Sequence, residues 1–268
     1  MPMLDVDDIR MYYTVKGEGI PIVFIHPPLL TSANFMYQME ELSRNFKVIA
    51  FDIRGHGRSP YSNQAITYQT IAEDIRQLLD YLGVKKAFIC GYSTGGTIAL
   101  EYLLAYPDRS FGGIVISGMS EVNDRKLKQM ISIAITLAKA KTLPILSLSI
   151  SWSNSDTNEA FKKLYTEALK GDARNIEQYY RYSLHYNCTS QLQKIDLPLL
   201  LVYGKKDKTF INYANILHEK LPCNDLKFIE NEKHQIPTKA AVILNEMIKQ
   251  FIQTLMENGH INDPTWKY

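Results

Sequence analysis

The stretch KAFICGYSTGGTIALEYLLAYP, residues 86–107, decides the fold of this 268-residue chain. The continuous apolar run at 87–90 is typical of a strand buried on both faces, and the residues after Gly96 are typical of a helix. The turn between them is Gly91-Tyr92-Ser93-Thr94-Gly95. A G-x-S-x-G turn in this context strains the serine and projects its oxygen above the sheet. It predicts a nucleophilic Ser93, against the alternative of a glycine-rich turn with no catalytic role.

Outside this stretch, short apolar runs alternate with amphipathic helical patterns. This order predicts an α/β fold: a doubly wound, mostly parallel sheet flanked by helices. The segment 119–191 lacks such runs and is rich in helical and aromatic residues, so we expect a helical insertion there, with 1–118 and 192–268 as the core. The other runs predicted to be strands are 22–25, 48–51, 114–117, 199–203 and 226–229.

The bulk composition excludes several classes of function. A formal charge of +2 gives no reason to expect nucleic acid or an anionic membrane as a partner. Cys90, Cys188 and Cys223 are too few and too scattered for a disulfide framework or a zinc site, and they fit a reducing compartment. The first residues do not read as a signal peptide, and the most apolar internal run is too short to span a bilayer. We therefore expect a cytoplasmic protein with no bound metal or cofactor.

Four signatures occur in one order along nearly the whole chain: His26 after an early strand, the sequence DIRGHGRS at 52–59, the turn around Ser93, and a late acid and histidine. In this the chain resembles the α/β-hydrolase family, in its capped, serine-nucleophile, esterase- or haloperoxidase-like branch. The resemblance implies the fold, a Ser-acid-His triad and a cap inserted after the sixth strand. Although DIRGHGRS mixes Asp, His and Gly, it lacks the clustered ligands of a metal site and the lysine of a P-loop.

A serine hydroxyl needs a base to take its proton, and the base needs an orienting acid. Asp207 lies in a Gly-x-x-Asp turn directly after the predicted strand 199–203, whereas Asp196 and Asp225 are expected at the other edge of the sheet. A carboxylate in such a turn could instead cap a helix. Position favours Asp207 as the catalytic acid.

Six histidines compete for the role of base: His26, His56, His185, His218, His234 and His260. His234 follows the strand at 226–229 and comes after Ser93 and Asp207, which is the α/β-hydrolase chain order. We expect His26 and His56 to hold turns near the site. The glycine that the family usually carries near the catalytic histidine is missing from the sequence Asn231-Glu232-Lys233-His234.

The loop HPPLL at 26–30 raises a question about the oxyanion hole. Family members usually donate one backbone N–H from the second residue after the loop histidine and another from the residue after the nucleophile. Thr94 can supply the second of these, but the first falls on Pro28, which has no N–H. We expect the Leu29 N–H to replace it. The alternatives are a side chain or water acting with Thr94, or the loss of efficient hydrolysis.

These features predict a cofactor-independent serine hydrolase that cleaves a small carboxylic ester or related acyl compound, of carboxylesterase type. Lactonase, thioesterase, C–C bond hydrolase and cofactor-free haloperoxidase activities are alternatives, and a slow-turnover ligand receptor is the non-enzymatic one. Specificity should reside in the insertion, where Trp152 and Tyr186 are predicted to influence acyl-chain preference. The sequence does not indicate an oligomeric state.

Overall fold

The computed structural model describes residues 2–140, 142–259 and 261. Within them the strands are β1 (Met3–Val6), β2 (Ile9–Lys16), β3 (Pro21–Ile25), β4 (Lys47–Phe51), β5 (Ala87–Tyr92), β6 (Ser110–Ile116), β7 (Leu199–Gly204) and β8 (Asn224–Ile229). The α-helices are α1 (Met36–Glu41), α2 (Tyr68–Tyr81), α3 (Thr94–Ala105), α4 (Arg125–Lys139), α5 (Leu143–Ser153), α6 (Asn158–Ala168), α7 (Ala173–His185), α8 (Ile211–Lys220), α9 (Ile236–Lys239) and α10 (Ala241–Glu257).

The strands form one sheet in the order β1-β2-β4-β3-β5-β6-β7-β8. The pairs β1–β2 and β2–β4 are antiparallel, and the pairs from β4–β3 through β7–β8 are parallel. All six predicted strands are present. The strand predicted at 114–117 instead begins at Ser110 and ends at Ile116, because Gly112 and Gly113 continue the ladder without side chains. The hairpin of β1 and β2, which turns at Asp7 with φ 47°, was not predicted.

Helices cover both faces of the sheet, and successive residues of the central strand point to opposite layers. Ile89 packs in the layer with α2, α3 and α8, whereas Phe88 packs in the layer with α1 and α10. Helix α2 buries an apolar stripe, starts at a Thr67 side-chain cap and is followed by Gly83 at φ 66°. The predicted doubly wound, mostly parallel sheet is confirmed.

Helices α4 to α7 lie between β6 and β7, where the sequence predicts the insertion. The two ends of this segment meet in a β-bridge between Glu121 and Asn187. The division into a core of 1–118 and 192–268 and a cap of 119–191 stays a prediction, and residues 1, 141, 260 and 262–268 lie outside the described residues. In the described part of the chain, no helix has both the length and the apolarity needed to cross a bilayer.

Candidate active site

Ser93 occupies the sharp turn between β5 and α3. Its backbone angles, φ 56° and ψ −123°, are rare for a residue with a side chain, as expected of a strained nucleophile turn. The two flanking glycines leave no room for a Cβ. One built on Gly91 would lie 2.0 Å from the Gly95 oxygen, and one built on Gly95 would lie 2.2 Å from the Ile25 oxygen at the end of β3. The spacing of glycines in this turn is therefore a steric requirement.

Ser93, His234 and Asp207 form one hydrogen-bonded chain. The Ser93 Oγ is 3.0 Å from His234 Nε2, and His234 Nδ1 is 2.9 Å from Asp207 Oδ2. Their chain order and geometry match a Ser-His-acid relay, in which Nδ1–H donates to the carboxylate and Nε2 accepts the serine proton. The side chains of His234 and Asp207 are 22% and 11% exposed, so both are largely shielded from solvent. This arrangement can activate the serine hydroxyl as a nucleophile.

The loops that carry the acid and the histidine are joined by backbone contacts. Lys206 N–H donates to the Glu232 oxygen at 2.8 Å. At the end of β7, a Cβ on Gly204 would lie 2.2 Å from the Lys233 oxygen, so this glycine lets the two loops approach closely. Asn231 has φ 65°, a left-handed conformation that asparagine tolerates better than most residues. Asn231 thus adopts a left-handed conformation that would also suit the glycine that this chain lacks near His234.

Two aromatic rings pack against the His234 imidazole. Phe210 lies 4.1 Å and Tyr92 5.3 Å from it, measured between ring centroids. The Tyr92 hydroxyl donates to Asn154 Oδ1 at 3.0 Å, which ties the residue before Ser93 to the end of α5. The imidazole is therefore fixed by packing as well as by its hydrogen bonds.

The other described histidines lie apart from Ser93's hydrogen-bonded chain. His26 is fully buried, its Nε2 accepts from Ile53 N–H at 2.9 Å, and its Nδ1 lies 2.9 Å from the Pro27 oxygen. His56 Nδ1 lies 2.9 Å from the Arg54 oxygen. Burial lowers the pKa of both imidazoles, that of His56 to about 4 and that of His26 well below its usual value. Both are thus neutral and hold turns.

His185 and His218 are exposed on helices α7 and α8, and His260 lies outside the described residues. Of the acids set aside, Asp225 pairs with Lys227 on β8, where both side chains are about half exposed. Asp196 lies before β7, at the opposite end of that strand from Asp207. Asp196 and Asp225 thus lie at the edge of the sheet expected from the sequence, away from Asp207.

The segment 52–59 is built around the buried Asp52. One carboxylate oxygen accepts from the Ser32 N–H and hydroxyl at 2.8 and 2.6 Å, and the other accepts from Arg58 N–H at 2.9 Å. A Cβ on Gly57 would lie 2.3 Å from that second oxygen. Asp52 therefore fastens this turn to the segment after HPPLL. Among the described residues, no group of three or more His, Cys, Asp or Glu is arranged to hold a metal ion.

The HPPLL loop makes a tight turn at Pro28 and Leu29. Leu29 has φ 71°, a conformation that favours glycine at the third position of a type II turn. Its side chain is buried in the core, so the strain is held by packing. Thr94, at the N-terminus of α3, lines the same cavity as Ser93 and His234, whereas Leu29 does not. The loop contributes Pro27, Pro28 and Leu30 to the cavity wall.

A cavity of about 210 Å³ opens at Ser93. Helix α4 provides one wall, from residues spaced by three or four: Leu127, Met130, Ile131 and Ala134. The rest of the lining includes Asn154, Tyr180 and Gln235. The helical spacing of the α4 residues is visible in the sequence, but its meaning depends on which side of the helix faces the serine. A larger groove, about 600 Å³, is lined by residues of α1, α9 and α10 and contains no member of the hydrogen-bonded chain.

The two aromatic residues predicted to influence specificity do not line this cavity. Trp152 is 66% exposed and packs edge-on against Phe161 on the outside of the insertion. The Tyr186 hydroxyl donates to Glu101 on α3, and its ring packs against Tyr68. Neither residue is therefore placed to touch an acyl chain in this cavity, because aromatic composition does not tell which face of a helix meets the site; their influence on acyl-chain preference stays a prediction.

The comparisons with known proteins agree with this architecture. A family model described as alpha/beta hydrolase fold matches residues 20–237. The hydrolase-superfamily protein YisY of Bacillus subtilis is 27% identical over 260 residues, covering 91% of this chain and 96% of its own. Among solved structures, a carboxylesterase of Nitrososphaera gargenis superposes with a TM-score of 0.83 at 20% identity, covering 96% of this chain and 100% of its own.

The enol-lactonase of Burkholderia xenovorans LB400 superposes equally well, with a TM-score of 0.84 at 17% identity, and the match covers 94% of this chain and 100% of that one. At such low sequence identities the structural matches show the fold but do not show the reaction. The family model, in contrast, spans most of the sequence, including Ser93, Asp207 and His234. The chain therefore belongs to the alpha/beta hydrolase fold family.

Proposed function

We propose that the protein is a serine hydrolase that cleaves a small carboxylic ester, or a related acyl compound, through an acyl-enzyme on Ser93. The observation that carries the proposal is the continuous chain from Ser93 Oγ through the His234 imidazole to Asp207, with links of 3.0 and 2.9 Å. Ser93 attacks the carbonyl carbon while His234 Nε2 takes its proton and then gives it to the leaving alcohol. Water, deprotonated by His234, releases the acid and restores the serine.

The developing oxyanion needs hydrogen-bond donors within about 2.7–3.1 Å of the carbonyl oxygen. We assign Thr94 N–H, at the start of α3, as one donor, and the helix N-terminus adds a favourable dipole. We assign Leu29 N–H as the second, because Pro28 cannot donate and the left-handed φ of Leu29 reorients the peptide between them. Leu30, which lines the cavity, offers the next N–H along the loop and is the alternative donor.

The cavity supports a small substrate with an apolar chain. Its volume, about 210 Å³, lies below the roughly 300–1,000 Å³ of pockets that hold drug-sized ligands. Its α4 wall is apolar, so an apolar acyl chain that packs against this wall leaves water, which favours binding. We propose that 119–191 acts as a cap whose helices α4, α5 and α7 close the site from above.

The complete hydrogen-bonded chain favours catalysis, whereas the missing N–H at Pro28 is the observation that favours a slow-turnover receptor. Lactonase, thioesterase, C–C bond hydrolase and haloperoxidase reactions would use the same three residues. Which reaction is catalysed therefore depends on the cap and on the oxyanion donors. We place a carboxylesterase of the cytoplasm first, acting on a small molecule without a cofactor.

A substrate panel tests the proposal. Hydrolysis of p-nitrophenyl acetate, butyrate and octanoate is compared with that of an acyl-homoserine lactone and an acyl-CoA thioester, using Ser93→Ala as the blank. We expect turnover of the short esters that Ser93→Ala abolishes. Faster turnover of the lactone or the thioester would move the assignment to that class. Binding of an ester without turnover would support the receptor.

A further inference from the structure

The HPPLL loop has few donors of its own and is held by neighbouring elements. Two of its residues, Pro27 and Pro28, lack an N–H. His26 connects the loop to the segment after β4, because its Nε2 accepts from Ile53 N–H at 2.9 Å. Gly95 of the nucleophile turn packs directly on the start of the loop, since a Cβ there would lie 2.2 Å from the Ile25 oxygen. The position of the loop relative to Ser93 therefore depends on contacts from outside it.

One of these contacts comes from the insertion. Tyr179, on α7, is fully buried, and its hydroxyl donates to the His26 oxygen at 3.0 Å. Its ring meets His56 edge-on at 5.6 Å and Tyr68 at 6.1 Å, so the ring has little freedom to turn. Burial raises the pKa of Tyr179, and the nearby Thr94 hydroxyl offsets part of that rise. The tyrosine is therefore a permanent donor, and it lies beside both segments assigned as oxyanion donors.

The next residue, Tyr180, reaches the second peptide of the turn. Its hydroxyl lies 3.5 Å from the Pro28 oxygen, at the long limit of a hydrogen bond, and its ring lines the Ser93 cavity. The described chain contains no cis peptide bond, so the Pro28 C=O and the Leu29 N–H point in opposite directions. A contact that orients the Pro28 oxygen consequently orients the Leu29 N–H as well.

We propose that Tyr179 is a positioning residue for the oxyanion hole, assisted by Tyr180. Its hydroxyl, on α7, donates a hydrogen bond to the His26 carbonyl oxygen. This contact sets the distance between the HPPLL loop and the Thr94 N–H. The insertion thereby contributes to the rate of the chemical step as well as to substrate choice. This inference rests on the proposed function, because it requires an oxyanion to form at Ser93.

The test is the variant Tyr179→Phe, which keeps the ring and removes only the hydroxyl. Tyr203→Phe is the matched control, because the Tyr203 hydroxyl is also buried and also donates to a backbone oxygen, that of Gly118, at 2.8 Å. Both variants are assayed with p-nitrophenyl acetate for kcat and KM. Inhibition by phenylboronic acid, which forms a tetrahedral anion on the serine oxygen, is measured in parallel. Thermal unfolding of each variant reports the cost to the fold.

For Tyr179→Phe we expect kcat to fall roughly tenfold to a hundredfold, with KM nearly unchanged and phenylboronic acid binding weakened by a similar factor. Tyr203→Phe should lose comparable thermal stability but keep kcat and boronate affinity. Equal kinetics in Tyr179→Phe and the wild type, with turnover intact, would overturn the positioning role and leave the proposed function standing. A wild-type protein that turns over none of the esters, lactone or thioester would overturn both.

Discussion

Acid should destabilise this fold through the buried imidazole of His56. Burial lowers the pKa of His56 to about 4, whereas the unfolded value is near 6.5. Between these values the unfolded chain binds a proton that the folded protein does not, so stability rises with pH across this window. The contribution is fully present above about pH 6.5 and is lost as pH falls to 4. A difference of about 2.5 pKa units corresponds to about 3 kcal/mol.

Other buried groups titrate in the same range, which makes a variant necessary. The pKa of His26 is also lowered, first by burial and then by repulsion from His56 when that ring is protonated, and this adds to the acid sensitivity. Burial raises the pKa of Asp74 to about 6, which acts in the opposite direction, because the folded state then binds a proton before the unfolded state does. The difference between the wild type and a His56 variant removes the Asp74 contribution and reports His56 together with its effect on the neighbouring His26.

The perturbation is His56→Gln, whose amide can still donate to the Arg54 oxygen, with His218→Gln on the exposed face of α8 as the control. Urea unfolding at steps from pH 8 to pH 4 gives the free energy of unfolding of each protein. We expect the wild type to lose about 3 kcal/mol relative to His56→Gln over this range. His218→Gln should follow the wild type. Parallel curves for all three proteins would refute the assignment of a buried, neutral His56.

Three further changes test the site. Gly95→Ala should destabilise the fold by about 1–3 kcal/mol, measured by urea unfolding, because its Cβ would overlap the backbone oxygen at the end of β3. Pro28→Gly should lower kcat for p-nitrophenyl acetate by loosening the turn that aims the Leu29 N–H; a marked gain would show that the missing donor at position 28 limits the rate. Met130→Ala should raise kcat/KM for octanoate relative to acetate by widening the cavity mouth. Ile133→Ala should not, because Ile133 is exposed on the same helix but does not line the cavity.

The parts predicted well from the sequence are those in which one residue type is forced by local geometry. The strand-turn-helix around Ser93 is predictable because no residue with a Cβ fits at position 91 or 95, so glycine is required at both. The positions of Asp207 and His234 near Ser93 are predictable from their order relative to buried strands, since the carboxyl ends of parallel strands share one edge of the sheet, whereas their catalytic roles stay a prediction. Their hydrogen-bonded contact is a property of two loops that cross at Gly204, which no local pattern shows.

The contents of the insertion were much less predictable. Trp152 and Tyr186 are conspicuous by type, yet one is exposed and the other contacts α3, while Tyr179 and Tyr180 contact the HPPLL loop. Nothing in the local sequence separates these tyrosines, because the direction of each side chain depends on how α7 packs across distant residues. The left-handed φ of Leu29 is likewise a tertiary effect, held by a buried side chain.

The most direct test of a Ser93 nucleophile activated by His234 is covalent labelling with a fluorophosphonate, mapped by peptide mass spectrometry. We expect one label per chain on Ser93, no label on folded Ser93→Ala, and labelling of folded His234→Ala slowed by orders of magnitude. A label on a different residue, or labelling of His234→Ala at the wild-type rate, would contradict it.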